Sequence, residues 1–251
     1  MLQKPTGLRF VIISPRRRKE DMRQMVLLLL MIPIGIGAQD PPTAYEFDPE
    51  LNVNVDLNKV VRFEFNAGRE RSDEFASSKW KVSAGASFRI KPFRKTFLDL
   101  VDSVIQNRYV FAAAYEYSRT PDAGNRIEHR GILEGTVRYK VPAGMLMTDR
   151  NRVELRWVDN GFHVRYRNRL ILERRMRLMK LKLSPFVAAE AIWDQRYNHW
   201  NVFKYIGGVQ LRMARWTTVD LRYERQHCKI CSTSDTNIVG LTLNIFLRRK
   251  R

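Results

Sequence analysis

Residues 150–175 read RNRVELRWVDNGFHVRYRNRLILERR, and counting them by twos separates two chemistries. Val153, Leu155 and Trp157 alternate with Arg152, Glu154 and Arg156. Past Asn160-Gly161, Phe162, Val164, Tyr166, Leu170 and Leu172 alternate with His163, Arg165, Arg167, Arg169 and Glu173, with Asn168 the outlier. A strand turns successive side chains to opposite faces, so each run has one apolar and one ionic face. Asn-Gly between two such runs signals a two-residue type I′ turn, in which both central residues have positive φ. With Asn160 and Gly161 in the turn, Trp157 faces Val164, Leu155 faces Tyr166, Glu154 faces Arg167 and Arg156 faces Arg165. The last pair joins like charges and requires a carboxylate, with Glu190 the first candidate, or an anion such as a headgroup phosphate.

An ordinary soluble sheet sends its charges to water and its apolar face to a core. A membrane-spanning barrel does the reverse, with an apolar band toward lipid and Arg and Glu in the lumen, where they pair. The same alternation recurs at 59–69 (with an extension at 51–57), 79–91, 107–118, 129–141, 181–193, 203–213, 217–226 and 237–247. Together with the hairpin, these runs predict an all-β fold, an antiparallel up-and-down transmembrane β-barrel of about ten strands within a range of about 8 to 12. An even count places both termini on the periplasmic side. Trp80, Tyr115, Tyr117, Trp157, Trp193, Phe203 and Tyr223 fall toward the outer rim, and Phe88, Tyr109, Tyr139 and Trp216 toward the periplasmic one, as two aromatic girdles. A soluble sandwich or lipocalin-like barrel also alternates, but it buries the apolar face.

Between the second and third runs, Phe97, Leu98, Val101, Val104 and Ile105 recur at helical spacing behind Arg94 and Lys95, and Thr96 and Asp99 form a capping-box pair. The segment 96–106 reads as a short periplasmic amphipathic helix or as a long irregular turn.

No apolar run reaches the roughly 18 to 20 residues of a spanning helix. The longest, Met25 to Ala38, follows Arg23 and ends in small residues, the three parts of a secretory signal peptide cleaved after Ala38. Residues 1–38 are therefore a basic leader and signal, 39–58 a polar periplasmic segment leading into the barrel, and 59–251 the barrel. Cleavage leaves 38 Lys/Arg and 24 Asp/Glu, a net charge of about +14. For an exported chain the expected counter-charge is the anionic headgroups of the outer membrane rather than nucleic acid.

Glu128-His129-Arg130, the RNRVELRW run with YRNRLILERR after it, Pro185-Phe186 leading to Glu190, and Gly207-Gly208-Val209 give the chain a family likeness. It resembles the uncharacterised bacterial outer-membrane barrels grouped as domain of unknown function 2490, over roughly residues 55–247. The resemblance implies a fold and a location and carries over no catalytic residue. Barrels of this class commonly end on an aromatic residue read by the barrel-insertion machinery, whereas here Phe246 is followed by LRRKR.

The inward set Arg130, Glu134, Arg138, Arg152, Glu154, Arg156, Arg165, Arg167, Arg169, Glu190, Arg212, Arg222 and Glu224 forms a lumen charge network. It either lines a narrow selective path or plugs the barrel. The plug is favoured because an interior of about ten strands is little wider than the eight-strand case that side chains fill. Cys228 and Cys231 fit a local disulfide in an oxidising compartment, ahead of free thiols or a metal site, for which His227 would be a third ligand. His163, Ser118 and Glu116 lie on non-adjacent runs and no nucleophile motif surrounds the serine, so no enzyme, cofactor or metal is expected. The function expected is a structural, interactive or narrow-pore barrel of the outer membrane. Its alternatives are a lipid-modifying barrel enzyme and a soluble periplasmic barrel for an acidic or lipidic ligand.

Overall fold

The strands expected from alternation close on themselves. The computed structural model describes residues 44–71, 78–90, 108–121, 125–159, 161–178, 181–231 and 234–248. The leader and signal at 1–38 and the expected helix at 96–106 lie outside these residues. The strand segments are β1 (Ala44–Asp56), β2 (Val61–Arg71), β3 (Ser78–Ile90), β4 (Tyr109–Thr120), β5 (Arg126–Val141), β6 (Met145–Val158), β7 (Gly161–Arg174), β8 (Met176–Leu178), β9 (Leu181–Asp194), β10 (His199–Ala214), β11 (Thr217–Cys228) and β12 (Asp235–Arg248). Consecutive strands pair, except that β7 and β8 both pair with β9; β9 also pairs with β10, and β1 pairs with β12. β8 continues the β7 edge along β9 past Arg175, so the closed barrel has eleven staves. These run from 11 to 16 residues, against the roughly 9 to 11 that a tilted spanning strand needs.

The count is one above the expected ten, and the extra stave is β1, inside the 39–58 segment that the sequence places before the barrel. Asp48-Pro49-Glu50 looks like a turn, and proline argues against a central strand. It is tolerated because β2 joins only at Glu50; before that, β1 has β12 alone beside it. β1 and β12 are parallel, the one parallel pair among the described residues, with Ala44 beside Thr236 and Asp56 beside Arg248. Ala44 and Arg248 therefore stand at opposite rims, not on the one side an even count requires.

The hairpin turn also differs from the expected one. Val158 pairs with Gly161, which puts the glycine in the strand register, and Asp159 has φ +52°. Asp and Asn tolerate the left-handed region, so the glycine starts β7 instead of making the turn. Each partner moves by two residues, which keeps every face but changes the opposite pairs. Arg156 faces His163, Glu154 faces Arg165, and the expected Arg156–Arg165 pair does not form.

The faces are inverted relative to a soluble sheet. Leu133 is 56% and Met213 66% exposed on the outside, whereas Arg130 is 3% and Glu154 0% exposed in the lumen. Trp80, Val82, Phe88 and Ile90 face out from β3, opposite Lys79 and Ser87.

Candidate functional site in the barrel lumen

Each stave brings every second residue inward, and acids and bases from neighbouring staves meet there. Reading around the wall from β11, Arg222 lies 3.7 Å from Glu50, and Glu50 lies 3.6 Å from Lys81. Lys81 and Lys79 hold Glu70 at 3.0 and 2.8 Å, and Lys79 reaches Glu128 at 3.6 Å. Glu128 binds Arg130 at 2.8 Å and also Arg156. Arg130 binds Glu116 at 3.0 Å and approaches Glu154 at 3.9 Å. Glu154 then binds Arg167 at 3.0 Å, and Glu190 takes Arg167 at 2.6 Å and Arg169 at 2.5 Å. The signs alternate along this belt, which sets each buried charge against an opposite one, as enclosure in a low-dielectric interior requires.

Smaller clusters flank the belt. Toward the rim that carries Arg248, called here the C-terminal rim, Glu134 is shared by Arg150 and Arg152, both at 2.8 Å. Nearer that rim, Asp56 binds Arg62 at 2.8 Å and Arg89 at 2.5 Å. Toward the opposite rim, which carries the β6–β7 turn, Asp194 binds Arg165 at 3.0 Å and Arg196 at 2.9 Å, with Arg156 at 3.8 Å. Asp194 thus does the work assigned from sequence to Glu190, which is engaged with Arg167 and Arg169. Beside it, Ile192, Val202 and Cys228 form a small buried apolar cluster against Cys231. Cys228 and Cys231 are joined as a disulfide, so neither thiol can hold a metal.

Most of the network residues named from sequence face the lumen. Glu224 pairs with Lys204 at 2.8 Å, and Arg222 also donates to Thr242 at 2.7 Å. Gly240 makes room for this, since a Cβ there would lie 2.5 Å from the Arg222 Nε. Arg138 is half-buried toward the C-terminal rim. Arg212 is the exception: it is exposed at that rim and donates to the backbone oxygens of Ala214 and Arg215. Its stave ends at a bulge between Arg212 and Ala214, which takes the side chain out of the ladder.

The sequence reading missed Glu50, Glu70, Lys79, Glu128, Arg150 and Asp194 as partners. Glu128 and Asp194 each lie one residue beyond the strand ends expected from alternation, and extending the parity by one residue would have found both.

Outside, Trp157 stacks near Phe162 at 5.2 Å, Tyr166 meets Trp200 at 5.9 Å, and Trp80 is exposed at the same rim. Trp193 pairs with Trp200, and Tyr117 packs on His129, which also bonds the Tyr115 hydroxyl. Phe88, Tyr139 and Trp216 are exposed toward the C-terminal rim, with Tyr109 half-buried near them. Tyr115 and Tyr223 instead sit at mid-strand, pairing with Gly131 and Gly207. His163 is buried opposite Arg156, and its Nε2 has no partner among the described residues. Ser118 and Glu116 lie across the wall beside Glu128 and Arg130.

No family model matches the chain, and no curated protein does. Among solved structures it is similar to LpxR from Salmonella typhimurium, at 10% identity and a TM-score of 0.44, over 74% of this chain and 83% of that one. The expectation that this barrel is not an enzyme is withdrawn. No residue or activity of LpxR is carried over.

Proposed function

We propose that the chain is an outer-membrane β-barrel whose lumen is closed at mid-height by the ionic belt, with a structural or interaction role in the cell envelope. One observation carries this reading: most of the large apolar side chains of the staves face outward while most of the charges are enclosed. Water on both faces would reward the opposite arrangement, and hydrocarbon outside rewards this one. Export by cleavage after Ala38, delivery to the barrel-insertion machinery and kinship with the 2490 family belong to the same proposal.

The C-terminal rim supports contact with anionic headgroups. Lys59, Lys140, Arg175, Arg177, Lys182, Arg212 and Arg215 are exposed there, and no Asp or Glu is exposed beside them among the described residues. Such a rim attracts anionic lipid and loses that attraction with salt.

Carbonate washing of membranes, followed by electrophoresis with and without boiling, tests the location. The chain should stay in the pellet and change mobility on heating, whereas release into the wash contradicts the reading. Planar-bilayer recording tests the belt, with no steady conductance expected; a stable open channel would show that the lumen is a path.

A second reading, chemistry on a lipid at the β6–β7 rim, is favoured by the unpartnered Nε2 of buried His163 near Arg156. Altered lipid A masses in cells carrying His163→Ala would support it, and unchanged masses would remove it.

A further inference from the structure

Away from the rims, the outward face of the described residues departs from the inverted pattern on β6 and β7. At mid-strand on β6 and β7, Asp149, Asn151 and Asn168 face outward with the apolar residues. Asn168 Nδ2 donates to Asp149 Oδ1 and to Asn151 Oδ1, both at 2.9 Å. Asn151 Nδ2 donates to Asp149 Oδ1 at 3.2 Å, and the Tyr166 hydroxyl donates to Asn151 Oδ1 at 2.5 Å. All four side chains are half-buried by their neighbours alone. Their own bonds leave three valences unused among the described residues: Asn168 Oδ1, Asp149 Oδ2 and one N–H of Asn151.

On the reading that this wall faces lipid, these groups lie near the level where the bilayer offers no hydrogen-bond partner and polar groups cost most. The flanks are small. Asn151 pairs with Gly135 on one side, and Asn168 pairs with Ala191 on the other. Small residues let a second wall approach closely, and amides across such a contact bond each other.

We infer that this patch is the contact between two copies of the chain. The free groups are self-complementary: a two-fold axis through the patch sets the free Asn151 N–H of each copy against the free Asn168 Oδ1 of the other. Asp149 orients both amides by accepting from each. A lipid tail supplies neither donor nor acceptor, and a purely apolar partner wall would leave the free amide groups of Asn151 and Asn168 open.

The test uses the full chain extracted from membranes into lipid nanodiscs. Its protein mass should be that of two copies. The double variant Asn151→Leu, Asn168→Leu should give one copy at the same concentration, at least a tenfold weaker association, with its heat-dependent gel mobility unchanged. A photo-crosslinking residue in place of exposed Ala189 gives a second readout that leaves the patch intact: the adduct should have twice the chain's mass. A single-copy mass for the native chain, two copies retained by the variant, or crosslinks to lipid or to a different protein alone would each overturn the inference. Recovery of the chain in the carbonate wash would remove the membrane reading itself, whereas a washed-in single copy would remove the dimer and leave that reading intact.

Discussion

The two halves of the barrel wall hold their staves together with different proportions of ionic and amide contacts. From β4 to β9 the lumen face is ionic, built on Glu116, Arg130, Glu154, Arg167 and Glu190. From β11 through β12 and β1 to β2 the belt thins to Arg222, Glu50 and Glu70, and a chain of short amides joins it. Asn66 donates to Asn52 at 2.5 Å, Asn52 to Asn244 at 3.0 Å, and Asn244 to Asp220 at 3.1 Å, a one-way chain ending on a carboxylate. It crosses the parallel closure between β1 and β12. Long arginines reach partners through a range of offsets, whereas an asparagine reaches only the residue beside it or the next one on the same face, as Asn244 reaches Asp220. The ionic half therefore supplies strength, and the amide half fixes the register at the seam where no hairpin does so.

The sharpest break of that contrast is Glu154→Ala. It takes one of two carboxylates from Arg167, which keeps Glu190, and truncating a partner in a buried ion pair costs up to about 3–5 kcal/mol. The urea midpoint of refolded barrel in liposomes should fall accordingly, and an unchanged midpoint would mean that water replaces the carboxylate. Next is Leu133→Arg, adjacent to lumen-facing Glu134 but on the outer face. A guanidinium at mid-bilayer costs about 2–4 kcal/mol, so folding yield in liposomes should drop, while Leu133→Phe leaves it intact. In the amide half, Asn244→Ala removes an acceptor and a donor at once. A loss of about 1–3 kcal/mol is expected by the same titration, smaller than that of Glu154→Ala. Equal losses from the two would erase the distinction between the halves. The smallest effect belongs to Cys228→Ser with Cys231→Ser, because a disulfide closing so short a loop contributes at most about 2 kcal/mol. A larger loss would show that the disulfide also holds the apolar cluster at the β6–β7 rim together.

The same division explains what the sequence made legible. In the ionic half the alternation is between extremes, Arg or Glu against Trp, Leu or Val, and parity alone assigns the faces of β5, β6 and β7. In β1 the lumen residues are Asp48, Glu50, Asn52 and Asn54. With Pro49 among them, these are the residues that mark turns, so the stave passes for a linker. Its role becomes visible only with β12 beside it, a contact nearly two hundred residues away in the chain. The hairpin turn was misplaced because glycine is the usual occupant of positive φ, whereas here Asp159 adopts it. Asp194 escaped notice because it ends its strand, where alternation gives way to a turn through Gln195–Asn198.

The account rests on which face of the wall meets hydrocarbon, and neighbouring residues of β5 decide that most directly. Spin labels at positions 133 and 134, introduced one at a time into the barrel in lipid vesicles, would be relaxed with oxygen, which partitions into hydrocarbon, and with a water-soluble nickel chelate. The account predicts strong relaxation by oxygen and little by the chelate at 133, and weak relaxation by oxygen at 134. Chelate access at 133 equal to or above that at 134, with no preference for oxygen at 133, would contradict it.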